Sequence, residues 1–315
     1  MNEILMIAGF ALAAYAVVSN DSIQTLGTFL AANNKRPWWA LWAYVSSILV
    51  AVLLYSWVVN GGDPAYGRLE KFPVPENGIS WIHVAAPFAL LVLTRFGIPV
   101  STTFLVLSVF GPGNIVAMLE KSIVGYIVAF VVTFSIFFAV LKIIDRRTTG
   151  AESEQEPAAY WVVLQWLSTA YLWSQWLIQD LANIFVFFPR DLDLQWMLFG
   201  MALLVLLQGY TFYERGGAIQ KILTSKQSVA NAKAATMIDI LLGTIYLVFK
   251  EWSNMPMSTT WVFLGLLAGR ELAFTVLRNS TGLSSTLKLI GIDASKALLG
   301  LAVSVALAVL SMTVS

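Results

Sequence analysis

Long apolar runs broken by short polar inserts alternate along this chain, and the same order of runs and inserts occurs twice. Residues 4–32 are apolar except for Ser19-Asn20-Asp21-Ser22 and Gln24-Thr25. About 20 apolar residues cross a bilayer. This run is longer and carries an acid at its middle, which predicts one broken helix. Asn33 to Pro37 turn the chain, and residues 38–59 predict a second span with Trp38, Trp39 and Trp42 at its mouth as an interfacial aromatic belt. Residues 60–79 combine proline, glycine and mixed charge and predict an aqueous loop. Residues 80–95 and 98–111 are both too short, at a rise of about 1.5 Å per residue, to cover the roughly 30 Å of a bilayer core. They predict a re-entrant hairpin with its tip near Arg95, Gly97 and Pro99, allowed where that tip is buried in protein or lines a cavity. Residues 115–143 predict a long span.

The second half repeats this layout. Residues 158–188 are apolar with a polar insert at Gln179-Asp180 and Asn183, residues 194–213 span, and 214–233 form a polar, basic loop. Residues 234–250 and 256–269 predict a second hairpin around Pro256, and 286–312 the last span. Asp21 recurs 159 positions on as Asp180, and Ser101 recurs 157 positions on as Ser258. The expected fold is therefore an all-α polytopic membrane protein of two repeats, residues 1–144 and 158–315, joined by a central polar loop at 145–157. Each repeat has a broken helix and a re-entrant hairpin. Three full crossings per half turn the second repeat upside down relative to the first, the inverted-topology plan of secondary transporters with sites at the midplane on discontinuous helices. In this threading one side gathers most loop lysines and arginines, among them Lys221, Lys226, Arg270 and Arg278, whereas the other has Arg68, Lys71 and Arg190. The positive-inside rule makes the basic side cytoplasmic and puts both termini outside.

Composition agrees with a membrane assignment. The chain of 315 residues is 58% hydrophobic and only 12% charged, against about 25% charged in a soluble domain; its mean hydropathy is +0.75. A net charge of +1 excludes a bulk nucleic-acid binder. The absence of cysteine excludes disulfides, thiolate metal sites and a cysteine nucleophile. The single histidine, His83, leaves no histidine cluster for a metal and reads as a packing residue; it and Asp239 lie on the first arms of the two hairpins. With no basic region ahead of the first apolar run, no cleaved signal peptide is expected. No nucleophile–base pair or phosphate-cradling glycine loop is visible, so the expectation is not an enzyme and no cofactor.

Two constellations carry the candidate chemistry. Ser101-Thr102-Thr103 and Ser258-Thr259-Thr260 each follow a proline at the start of a hairpin arm, a position that suits a helix N-terminus. Hydroxyls beside unpaired N–H groups and the positive end of a helix dipole suit an anion, and two such termini facing each other suit a tetrahedral oxyanion such as phosphate or sulfate. The plainer alternative is that these residues cap buried half-helices. Asp21 and Asp180 lie among amides, with Asn20 and Gln24 in the first copy and Gln179 and Asn183 in the second. A carboxylate at mid-membrane depth is costly and marks a functional site by default. Oxygen-only surroundings suit sodium, while a carboxyl alone suits a proton. Arg95 and Lys250-Glu251, near the hairpin tips, either attract an anion or pair locally.

These residues resemble the PiT family of inorganic phosphate transporters, whose repeats each carry an Asn-Asp-Val-Ala-Asn motif and a Pro-x-Ser-Thr-Thr-His motif. Asn20, Asp21, Gly27 and Thr28 match the first copy, with Gln24 in place of the second Asn. Asp180, Ala182 and Asn183 match the second copy, and both Pro-x-Ser-Thr-Thr runs match in full. The histidine that follows is Phe104 or Trp261 here. The resemblance implies cation-coupled uptake of phosphate, with the six hydroxyl residues on the anion and the Asp, Asn and Gln residues on sodium. It also implies a homodimer in a plasma or inner membrane. A sulfate permease of the same family, or a transport-inactive sensor or scaffold, is the alternative.

Overall fold

The structure is a computed structural model that describes residues 3–96, 98, 100–147, 159–216, 220, 232–278 and 282–314. Every regular element in them is helical, as lipid demands of backbone it cannot hydrate. Among the described residues six stretches are long and apolar enough to cross a membrane: Glu3–Ala32, Trp38–Val59, Pro112–Val140, Leu194–Tyr213, Thr259–Leu277 and Leu283–Thr313. Their outward faces expose apolar residues such as Tyr55, Leu206, Leu289 and Val309, whereas Asp21, Asp180, Asp239 and Arg68 are buried. Apolar outside and charge inside is the reverse of a water-soluble domain, and the chain is an integral multi-pass membrane protein.

The first run is α1 (Glu3–Ala16) and α2 (Ser22–Ala32), joined without a gap by a π-turn at Val17–Asp21. The expected break is thus a bulge in a continuous helix, with Asn20 and Asp21 in the turn where the hydrogen-bond ladder is displaced. α3 (Trp38–Val59) packs on α9 (Leu194–Tyr213), and both match their predicted limits. α4 (Trp81–Arg95) starts at a capping box in which the Ser80 N–H donates to His83 Nδ1 at 3.1 Å, so the lone histidine has a local structural task. The returning arm is short: a π-turn at Thr103–Leu107 runs into α5 (Ser108–Phe110). α6 (Ile115–Arg147) follows, three residues into the expected central loop. α7 (Ala159–Asp180) stops at Asp180, and α8 (Ala182–Phe185) resumes after Leu181, so the second run is interrupted at its acid, where the first only bulges. α10 is Ala232–Trp252, α11 Thr259–Arg278 and α12 Leu283–Val314.

The second hairpin differs from expectation. Its arms, predicted at 234–250 and 256–269, are 21 and 20 residues long, about 30 Å each and long enough to cross. α4 has only 15. The second arm was expected to end at 269, with Arg270 counted among the loop cations. Instead Arg270 is buried with its guanidinium 5.3 Å from the centre of the Phe274 ring, and the helix continues through it. Arg68, counted as a loop charge, is buried as well. Lys250 and Glu251 pair with each other at 2.8 Å, exposed at the end of α10. Gly97 and Pro99, residues 148–157 of the central loop, residues 217–219 and 221–231 of the basic loop with Lys221 and Lys226, and the Arg278 side chain lie outside the described residues.

Two packing devices hold the site-bearing helices. α11 runs along α6, and a Cβ added to Gly265 or Gly269 would collide with the carbonyl oxygens of Tyr126 and Phe130. Four-residue spacing of small residues lets helix backbones approach closely in a membrane. α10 lies along α7 and delivers Asp239 into a buried hydroxyl cage: Thr28 of α2 donates to one carboxylate oxygen at 2.8 Å, while Thr169 and Ser168 of α7 donate to the other at 2.6 and 3.3 Å. Asp239→Ala leaves the buried hydroxyls of Thr28 and Thr169 short of an acceptor, Ser168 keeping the Gln165 carbonyl at 3.0 Å, and is expected to cost about 2–4 kcal/mol, read as a lowered melting temperature in detergent. Asp239→Asn keeps an acceptor oxygen and is expected to cost less than half as much. Equal losses for the two variants would mean that the cage does not hold these helices.

Candidate functional site

The two Pro-x-Ser-Thr-Thr segments meet inside the protein. All six hydroxyl residues are buried, and the residues that follow them, Phe104 and Trp261, pack with ring centres 5.6 Å apart. Thr103 Oγ1 donates to the carbonyl of Met257, in the opposite segment, at 3.2 Å.

The first two positions of the motif each have a task that recurs in both copies. The serine caps its own helix: Ser101 Oγ accepts the N–H of Phe104 at 3.2 Å, and Ser258 Oγ that of Trp261 at 3.1 Å. This is the N-cap geometry of a helix whose first amides have no intrahelical partner. The middle threonine reaches the acid of its own half. Thr102 Oγ1 donates to Asp21 Oδ2, and Thr259 Oγ1 to Asp180 Oδ2 at 2.6 Å. Of the last threonines, Thr103 also accepts from Asn183 Nδ2 at 3.2 Å, which ties the first hydroxyl run to the second acid motif. Thr260 is buried beside Thr259.

The amides complete the acids. Asp21 Oδ1 accepts from Asn20 Nδ2 at 2.6 Å and from Gln24 Nε2 at 3.5 Å, a marginal contact. Asp180 Oδ1 accepts from Asn183 Nδ2 at 3.0 Å. Gln179 Nε2 donates to the Tyr246 carbonyl at 3.0 Å. The other ends of the second pair of amides, Gln179 Oε1 and Asn183 Oδ1, are buried acceptors without a donor. Buried acceptors are nearly always satisfied, so these orphans, one on the Asn183 amide that bonds Asp180 and one on the residue next to Asp180 in the chain, are oxygens of the kind a hard cation takes. Thr102 with Asp21 and Asn20, and Thr103 and Thr259 with Asn183 and Asp180, thus form a buried network, with Ser101, Ser258, Thr260 and Gln179 buried beside it and Gln24 half-buried at its edge.

Two cations that the sequence reading passed over lie beside this cluster. Lys121 of α6 is buried and donates to the carbonyls of Ser253 and Met255, both at 2.7 Å. Its neighbour Ser122 accepts the Ser258 N–H at 2.8 Å, so α6 clamps the segment leading into the second motif. A lysine inside an apolar span was the available signal. Arg68 enters from the loop after α3, with its Nε on the Ile178 carbonyl at 2.7 Å. Burial lowers its guanidinium to about 10, opposed by the Asp180 carboxylate, so it carries its charge at neutral pH. A short left-handed turn at Gly67 (φ 74°) points the loop inward, a conformation that favours glycine.

No family model and no curated protein matches the chain. The chain is similar to a solved structure described as the sodium-dependent phosphate transporter. The two share 14% identity over 99% of this chain and 98% of that one, with a TM-score of 0.62. At that identity the likeness shows the fold, end to end, and it is the fold that the sequence motifs had suggested.

Proposed function

We propose that this protein is a secondary active transporter that carries an inorganic tetrahedral oxyanion, phosphate ahead of sulfate, together with sodium. The observation that carries the reading is the duplicated constellation: in each half the middle threonine of a buried Ser-Thr-Thr run bonds that half's mid-helix aspartate, and the two runs touch. A helix cap needs no partner acid from another element, and two unrelated caps need not meet. The shared fold with a sodium-dependent phosphate transporter supports the same reading.

Asp21 with Asn20 and Gln24, and Asp180 with Gln179 and Asn183, are the cation sites of this reading. The orphaned oxygens of Gln179 and Asn183 favour a metal cation over a proton, since a proton needs only the carboxyl oxygen. Ser101, Thr102, Thr103, Ser258, Thr259 and Thr260 are the anion site, with two helix N-termini contributing N–H groups and dipole. A serine oxygen that accepts a capping N–H still has its own proton to donate, so capping and anion binding are compatible. Transport follows as alternating access of residues 1–144 and 158–315 as inverted halves around this midplane cluster. The reading includes a homodimer in a plasma or inner membrane with both termini outside.

The test is radiolabelled phosphate uptake into proteoliposomes under an inward sodium gradient, in wild type and in the double variant Ser101→Ala with Ser258→Ala. The variant loses two caps, about 1 kcal/mol each, so it still folds with a slightly lowered melting temperature. Its uptake is expected to vanish. Undiminished uptake would leave the serines as caps only. Wild-type phosphate binding without flux under any gradient would turn the protein into a sensor.

A further inference from the structure

We propose that Arg68 binds the transported oxyanion directly, with its two outer nitrogens on one edge of the tetrahedron. The inference rests on the transport reading above and adds a residue to it that no motif contains.

Arg68 is 1% exposed, yet it bonds through Nε alone; Nη1 and Nη2 are buried with no acceptor. Arg190 shows what a structural arginine does in the same protein. It places Nε and Nη2 on the Phe72 carbonyl and Nη1 on the carbonyls of Val186 and Phe188, so all three of its nitrogens have acceptors. Buried donors are rarely left unpaired, and charged ones least of all. The unpaired edge of Arg68 is a planar fork of parallel N–H groups, the geometry that takes two oxygens of a phosphate or sulfate at once.

The position agrees with the chemistry. The bond to Ile178 anchors the guanidinium two residues from Asp180, whose charge it feels. Lys121, another buried cation, is within electrostatic range of Arg68 and is fixed to Ser253 and Met255, just ahead of Ser258. The neighbouring loop residue Gly67 adjoins Asn254 of the same segment. Thus the fork stands beside the second cation motif and the lead-in to the second hydroxyl run.

This placement also gives a route to coupling. While Asp180 is bare, its charge offsets part of the guanidinium's and repels an anion. A sodium ion on Asp180 cancels both effects and leaves the fork to the oxyanion. By linkage, the oxyanion must then raise sodium affinity by the same factor.

The decisive experiment compares phosphate KM for uptake, and the potency of unlabelled sulfate as competitor, in wild type, Arg68→Lys, Arg68→Gln and Arg190→Lys. Arg68→Lys keeps the charge and can still reach a carbonyl, but it loses the fork. It is expected to raise the phosphate KM at least tenfold, and Arg68→Gln at least a hundredfold, with sulfate potency falling in parallel. Arg190→Lys is expected to lower the melting temperature and leave KM unchanged. If Arg68→Gln is not recovered as folded protein, Arg68→Lys alone decides. A KM within twofold of wild type in Arg68→Lys overturns the inference and leaves the transport reading standing. Wild-type protein that neither binds nor moves phosphate or sulfate overturns both.

Discussion

Sodium-driven phosphate uptake is expected to fall at least about a hundredfold in Asp180→Asn. The substitution keeps the shape of the side chain, and Thr259 Oγ1 can still donate to the remaining carbonyl oxygen, now at 2.6 Å from Asp180 Oδ2. What is lost is the formal charge in a cluster that already holds two unpaired oxygens, Gln179 Oε1 and Asn183 Oδ1. An interaction with a charged partner in such a setting is worth about 3 kcal/mol, and every 1.4 kcal/mol is a factor of about ten. The loss is in sodium affinity, so raising sodium should restore part of the flux. That recovery separates the two roles Asp180 could have. If Asp180 only ends α7, the variant melts a few degrees lower, and its flux keeps the wild-type sodium dependence. Asp21→Asn is expected to behave alike, because its carboxylate has the equivalent threonine partner and the adjacent Asn20 amide at 2.6 Å.

The second large effect is structural. Gly269→Val is expected to prevent recovery of monodisperse protein, because the new side chain meets the Phe130 carbonyl and, at 3.0 Å from the Cβ, the Phe134 nitrogen. These are backbone atoms, and they move only if α6 and α11 separate. Overpacking typically costs about 1–3 kcal/mol, and more where the backbone must shift; native stability is only about 5–15 kcal/mol. Separation would also loosen Lys121 and Ser122 from the segment that ends at Ser258, so any folded remainder should lose uptake. Gly291 of α12 is the control. Nothing lies within 4 Å of a Cβ placed there, so Gly291→Ala is expected to be neutral or to stabilise by up to about 1 kcal/mol. Equal behaviour of the two glycine variants would refute close packing as the role of Gly269.

Much of this protein was legible in one dimension. The limits of α3 and α9 follow from apolar length against bilayer thickness. The breaks at Asp21 and Asp180 follow from polar residues where lipid tolerates none. Serine after proline predicted two helix starts, and Ser101 and Ser258 cap them. Such signals are local, since each depends on a residue and its neighbours within a turn or two. Reading failed where a charge was judged by sequence company alone. Arg270 and Arg68 were both counted as loop charges, and both are buried. A cation's surroundings are set by what packs over it from elsewhere in the chain, and the sequence carries no mark of that.

The sequence by itself therefore determined the helical membrane class, the limits of α3 and α9, and the residue types at the cluster, because these rest on length, hydropathy and backbone satisfaction. Only the tertiary structure decided that Thr102 meets Asp21 and Thr259 meets Asp180 across 81 and 79 residues of chain. It alone joined Thr103 to Asn183 and left the fork of Arg68 unpaired beside Ile178. Those pairings depend on how close whole helices come. That distance is set at remote crossings such as Gly265 and Gly269 against α6, where the presence or absence of a single methyl group sets how near two backbones can lie.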